Sequence, residues 1–282
     1  MVHSYEKTVC STLVETGKEW REMKIALCQF EIAFEKKEEN TRRAICFMEQ
    51  AQSAGAELVL FPEMSLTGFS MNTRFTGEQD RESVRCMCEA AKRTGIAVGF
   101  GWTALAGKRG ENHYTVISAQ GEVLGDYIKI HPFSYTGEDR FFEKGNETVH
   151  FTLSGIPFSN FICYDLRFPE IFQAVSGQAH VIIVPANWPA GRREHWKCLL
   201  RARAIENQCY ILGVNCVGSQ KGLCYAGDSS VILPDGTVAA ELSDEEGLIV
   251  YDLVDDVEGY RSSFPVRNDR RVDLYKELYG ED

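Results

Sequence analysis

Three separated segments each set one reactive side chain among glycines, prolines and aromatics: FPEMSLTGF around Glu63, YIKIHPFSYTGEDRFFEKGN around Lys129, and FICYDLRFPE around Cys163. A carboxylate can take a proton, an ammonium can hold a developing negative charge, and a thiol can attack. Those are the requirements for a cysteine adding to an amide carbonyl. Each residue also has a plain reading. Buried cysteines mostly pack as small hydrophobes, Glu after Pro is an ordinary loop residue, and a lysine at a strand end can keep its ammonium in water.

The flanking residues say where each group must stand. IPFSNFIC reads as a short apolar strand and LRFPEIFQAV as a helix, so Cys163 falls on the turn between them. The next N–H, that of Tyr164, then lies near a helix start, where it can bind an oxyanion or lower a thiol pKa. ELVLFPE is a strand that Pro62 should stop, leaving Glu63 at its C-terminal edge, the edge of Cys163 if the strands are parallel. EVLGDYIKIHPF alternates as a strand into a proline and carries Lys129 near its end.

Around these segments KIALCQFEI, ELVLFPE and IAVGFGW read as strands separated by the helical stretches NTRRAICFMEQAQSAG and RESVRCMCEAAKRTG, the grammar of βαβ units. YTVISAQGEVLGDYIKI turning at Gly121 and VILPDGTVAAEL turning at Asp235–Gly236 read as hairpins. An α/β fold of two mixed sheets faced by helices, an αββα sandwich, accommodates both. No repeat, low-complexity tract or linker divides it. Residues 1–22 are polar and precede the first strand; they read as a partly ordered extension or an early start codon, with a single domain over 23–282.

In this order, FPE…GF, the lysine of KIH with FFEKG downstream, and CYDLRFPE resemble the nitrilase superfamily, the carbon–nitrogen hydrolases. The resemblance runs from about Met23 to the C-terminal end. It continues through VIIVPANWPA, HWKCLLRARAIENQCYILGVNCVG and the GDSSVILPDG hairpin. Within the superfamily, ANWP followed by HW and RARAIENQ, with YRSSFP near the end, is most similar to the bacterial omega-amidases. The resemblance implies a four-layer αββα fold with Cys163 as nucleophile, Glu63 as general base and Lys129 as stabiliser of the tetrahedral intermediate. It brings in Glu138 as a second glutamate, with Glu143 competing for that place. It also implies that the C-terminal arm packs on a second subunit, so a homodimer or higher homo-oligomer is expected.

For such an enzyme the substrate class is small ω-monoamides of dicarboxylates, such as 2-oxoglutaramate or 2-oxosuccinamate. The substrate carboxylate needs a cation, and Arg167 is the first candidate, since a guanidinium matches a carboxylate bidentately. Arg192, Arg193 and His195 are alternatives, and Arg167 could instead pair with Asp165 or Glu170. Trp188 is expected to wall the pocket, and Asn187 either to donate to it or to cap the Pro189 turn; with Tyr164 and Arg167 these make the expected substrate contacts. Two other readings stay open: an amidohydrolase for N-carbamoyl compounds, simple amides or nitriles, and a non-catalytic binding protein on the same fold.

Composition narrows the partners. The 282 residues, 44% hydrophobic, suit one large core without staples. Ten irregularly spaced cysteines fit a reducing cytoplasm better than a disulfide scaffold. The net charge of −11 disfavours nucleic acid, and the longest apolar runs are too short to span a membrane. No nucleotide-binding glycine motif is present, the histidines are scattered, and Cys86 and Cys88 lie two apart on a helix, so neither cofactor nor metal is expected.

Overall fold

The computed structural model describes residues 1–5 and 21–280; residues 6–20 of the N-terminal extension lie outside the described residues. In chain order the first part comprises β1 (Val2–Tyr5), β2 (Arg21–Gln29), α1 (Lys37–Ser53), β3 (Leu58–Leu60), α2 (Thr73–Thr76), α3 (Glu82–Thr94), β4 (Ala97–Ala106), β5 (Arg109–Ile117) and β6 (Val123–Ile128). The second comprises β7 (His150–Leu153), β8 (Ile156–Asn160), α4 (Pro169–Val175), β9 (Val181–Ala186), α5 (Arg193–Asn207), β10 (Tyr210–Asn215), β11 (Val217–Gln220), β12 (Leu223–Ile232), β13 (Val238–Ser243), β14 (Gly247–Asp255), α6 (Val257–Ser263) and α7 (Val272–Tyr279).

These strands form two mixed sheets. One runs β1-β14-β2-β3-β4-β5-β6, parallel from β2 through β4 and then an antiparallel meander. The other runs β11-β12-β10-β9-β8-β7 with β13 on β12, parallel from β8 through β10. The two-residue period of the strands sorts the side chains. Ile25 and Leu27 of β2, with Leu58 and Leu60, pack in one core with Phe158 and Ile183 of the facing sheet. Their neighbours Ala26, Cys28 and Val59 pack on the other side with Phe47 and Met48 of α1 and Met87 of α3. Trp196, Leu200 and Ala204 recur at a four-residue interval on α5 and join the core of the second sheet. The result is a four-layer αββα sandwich.

The strands of Glu63 and Cys163 lie in different sheets: β3 belongs to one and β8 to the other, and the two residues meet because both sheets place these strand ends at the same end of the sandwich. One local reading needs correction: the helix after Cys163 is split. Cys163–Arg167 is a 3-10 turn, and α4 starts only at Pro169. Proline disfavours helical geometry in the residue before it, and Phe168 is accordingly extended (φ −109°, ψ 94°). The first long strand begins at Arg21, while Val2–Tyr5 lies parallel to β14 at the sheet edge. Among the described residues no helix is long and apolar enough to cross a membrane.

Candidate active site

Glu63, Lys129 and Glu138 converge at that end with their side chains fully buried. Pro62 follows the end of β3, and the Glu63–Met64 backbone turns against β4 at Gly101. A side chain at Gly101 would put its Cβ 2.2 Å from the Met64 nitrogen and 2.9 Å from the Glu63 Cα, so only glycine admits the carboxylate here. Lys129 follows β6 and is held by its backbone, its N–H donating to Asn112 O and its C=O accepting from Gly145 N–H, both at 2.9 Å. A Cβ at Gly145 would lie 2.1 Å from Ile128 O, so the glycine of FFEKG lets that loop run beside the lysine.

The lysine ammonium donates to Glu63 Oε1 at 2.8 Å and to Glu138 Oε2 at 2.9 Å. Asn112 Nδ2 donates to the same two carboxylates at 2.9 and 3.2 Å. Asn187 gives Glu63 Oε2 its backbone N–H at 2.9 Å and Glu63 O its side-chain amide at 2.6 Å. Glu138 also accepts from Phe133 N–H. The Glu143 side chain is half exposed and pairs with Arg109 at 3.4 Å, which removes it from competition with Glu138.

Cys163 stands across from this cluster at the start of its 3-10 turn with φ +48°, a conformation L-residues rarely hold. Asp165 fixes the turn: its buried carboxylate accepts from Ile162 N–H at 2.9 Å, Tyr127 OH at 2.8 Å and His131 N–H at 2.9 Å. The Cys163 turn is thereby tied to the strand end that carries Lys129. Asp165 is fully engaged and cannot be the partner of Arg167.

Burial and charge divide the titrating groups. Burial works against ionised Glu63, but the charge of Lys129 and the hydrogen bonds from Lys129, Asn187 and Asn112 outweigh it and hold the carboxyl below its ordinary value. Burial and the neighbouring Glu63 push Glu138 up despite Lys129. For Lys129, burial is overcome by Glu138 and Glu63, and the ammonium is held well above the usual lysine range. Burial and the Glu63 charge drive the Cys163 thiol well up. The turn therefore does not lower it, one of the two roles the sequence allows it: the turn is 3-10, the thiol is buried, and the neighbouring carboxylate opposes a thiolate. These directions favour a neutral thiol beside an ionised carboxylate.

A cavity of about 280 Å³ opens onto Cys163 and Lys129, walled by Phe69, Phe133, Trp188 and Tyr225. Tyr164, Arg167 and Arg192 also line it. Arg167 lies 4.8 Å from the Trp188 ring and 6.0 Å from that of Tyr164, with Nη2 3.3 Å from His195 Nδ1. Arg192 lies 5.1 Å from the Tyr135 ring. Among the described residues neither guanidinium pairs with a carboxylate, whereas Arg193 is committed to Asp228. Asn187 lines the cavity, and its backbone N–H and one N–H of its side-chain amide are taken by Glu63. Its placement supports the Glu63 carboxylate rather than capping the Pro189 turn.

A family profile described as carbon–nitrogen hydrolase matches residues 24–262. The chain belongs to the carbon–nitrogen hydrolase family. The hydrolase is 36% identical to the 2-oxoglutaramate amidase of Bacillus subtilis over 258 residues, 89% of this chain and 98% of that one. It is 34% identical to omega-amidase YafV of Escherichia coli K12, over 66% of this chain and 72% of that one. It also superposes with a TM-score of 0.82 and 27% identity on an amidase from Nesterenkonia sp. AN1, covering 91% of this chain and 97% of that one. That amidase, a glutamate-to-leucine mutant, shows the acetamide moiety of fluoroacetamide covalently added at its active-site cysteine. Membership makes this chain a hydrolase of carbon–nitrogen bonds other than peptide bonds.

Sequence reasoning missed Asn112 and the locking role of Asp165. Asn112 shares the inward face of β5 with Tyr114 and Val116, both fully buried. An amide on an otherwise apolar strand face is the signal that could have found it.

Proposed function

We propose that this chain is a thiol amidohydrolase releasing ammonia from small ω-monoamides of dicarboxylates, 2-oxoglutaramate and 2-oxosuccinamate being the type substrates. The observation that carries the reading is a guanidinium, Arg167, that pairs with no carboxylate among the described residues and lines the same small cavity as Cys163 and Lys129. A carboxylate bound by Arg167 directs the far amide of a short chain toward the thiol. The names of the Bacillus and Escherichia relatives agree with this class.

In the reaction Glu63 takes the thiol proton as Sγ attacks the amide carbon, so no free thiolate has to form first. The oxyanion is stabilised by the Lys129 ammonium and the Tyr164 N–H, each such donor contributing about 2.7–4 kcal/mol. As the intermediate collapses the C–N bond breaks, and Glu63 passes its proton to nitrogen, releasing ammonia and leaving a thioester. Water then gives a proton to Glu63 and attacks the thioester. The second collapse expels Sγ, which recovers the proton, and the dicarboxylate departs. Glu138 keeps Lys129 charged and in place throughout.

The C-terminal arm supports a homodimer. Arg261 and Arg270 anchor it to its own subunit through Ala179 O and Glu206 O at 3.0 and 2.9 Å, yet Val272, Leu278 and Tyr279 of α7 stay exposed. Sedimentation at micromolar concentration should give the mass of two chains. The nine described cysteines are all free, which supports a cytoplasmic setting.

The function is tested by ammonia release from 2-oxoglutaramate, succinamate, N-carbamoyl-β-alanine, a simple amide and a nitrile. A kcat/KM preference for the two ω-monoamides is expected. Preference for carbamoyl compounds or nitriles would discard the substrate class, and silence on all of them would favour a binding protein.

A further inference from the structure

Glu63 is held by Asn187, and the carboxamide of Asn187 is itself held from behind. Its Oδ1 accepts from Gln220 Nε2 at 3.1 Å and from the Cys216 thiol at 3.2 Å. With its oxygen fixed on that side, Nδ2 faces Glu63 O and the residue's N–H faces Glu63 Oε2. Gln220 does a second thing. Its Oε1 accepts the N–H of Phe69, whose ring walls the cavity 5.5 Å from the Lys129 ammonium. The side chain lies tight under that loop, since a Cβ at Gly68 would come 2.6 Å from Gln220 Oε1. Gln220 ends β11 and is buried, although it is remote in sequence from all four reactive residues.

We infer that Gln220 is a positioning residue for the reaction: through Asn187 it aims the Glu63 carboxylate at Cys163, and through Phe69 it fixes the wall against which the substrate lies. Glutamine suits both tasks at once. One amide offers a donor to Asn187 Oδ1 and an acceptor to Phe69 N–H, a division that neither a carboxylate nor an apolar side chain reproduces. Buried amides whose partners are all protein groups fix one orientation, because turning them over would strand a donor and an acceptor. The inference rests on the proposed base role of Glu63.

The titrating groups facing Glu63 are Lys129 after β6, Glu138 on its 3-10 turn, Cys163, and the more distant Cys216 and Tyr225. Replacing Gln220 removes a 3.7 Å contact from its Nε2 to the Cys216 sulfur and leaves the other groups untouched. What reaches Glu63 is the change in hydrogen bonding from Asn187, which favours ionised Glu63. A loosened Asn187 therefore raises the pH at which Glu63 protonates.

The experiment is alkylation of Cys163 by iodoacetamide across pH, followed by mass spectrometry on the intact folded protein, which requires no knowledge of the substrate. Gln220→Met keeps the volume and removes the hydrogen bonds to Asn187, Phe69 and Cys216. It should slow alkylation about tenfold, the size of loss expected from misplacing a reacting group by a fraction of an ångström, and move the acid limb to higher pH. Cys216→Ala, which removes the other donor, should give a smaller shift in the same direction, and Cys216→Ser, which restores a donor, should return the limb toward wild type. The Cys216 pair serves if Gln220→Met does not fold. An unshifted acid limb in the folded variants would overturn the inference while leaving Glu63 as base. If Glu63→Gln alkylated like wild type, the base role and this inference would fall together.

Discussion

The floor and the mouth of the cavity treat charge in opposite ways. On the floor Lys129 touches two carboxylates, both carboxylates accept from Asn112, and the three side chains are buried. At the mouth Arg167 and Arg192 rest on aromatic rings and, among the described residues, meet no carboxylate. Buried charges persist only when paired and hydrogen-bonded, so the floor is a fixed electrostatic device that water and ligand do not rearrange. Unpaired cations against rings retain most of their capacity for an incoming anion. On the proposed function, reaction and selection reside in different residues, and substitutions should separate them.

The largest effect falls on the floor. Lys129→Met leaves two facing carboxylates without their counter-charge; kcat should drop by more than a hundredfold and stability by about 3–5 kcal/mol, read from turnover and from urea unfolding. A variant with unchanged kcat would break the division outright. Next, Arg167→Ala should raise KM for 2-oxoglutaramate roughly tenfold to a hundredfold with kcat within a few-fold, since it removes binding rather than chemistry. Turnover of an uncharged amide should be unaffected; an equal loss on both substrates would place Arg167 in the chemistry instead. Arg192→Ala should give the same pattern in weaker form, as its guanidinium lies farther from its ring than that of Arg167.

The smallest effect is one of pH. Glu63 has a lowered carboxyl value in the folded state, so the stability it contributes is present above the unfolded value and is lost as pH falls through the folded one. The acid limb of kcat/KM should accordingly lie below the ordinary glutamate value of 4.5. Cys163 and Lys129 are both held high, so activity should stay level across the neutral range. An acid limb near 7 would mean that another group serves as base.

Much of this was legible in the sequence because it depends on local patterns. Two-residue alternation and glycine turns gave the hairpins β5–β6 and β12–β13, and the proline after Phe61 marked the end of β3. The order of the three segments pointed to the family. What stayed hidden depends on tertiary contact. Nothing local distinguishes one parallel sheet from two, so the separate sheets of Glu63 and Cys163 could not be read. From the sequence Asn187 could either donate into the pocket or cap the Pro189 turn, because its partner Glu63 is 124 positions away. The raised thiol of Cys163 follows from burial beside Glu63, which outweighs the local turn geometry that the sequence suggested.

The central claim is that Cys163 carries the acyl group of an ω-monoamide, and acid-quenched mass spectrometry during turnover of 2-oxoglutaramate tests it most directly. The account predicts an acyl adduct confined to the Cys163 peptide in the wild type, and neither adduct nor ammonia release in a folded Cys163→Ala variant. Ammonia release by Cys163→Ala at the wild-type rate, or an adduct on another residue, would contradict it.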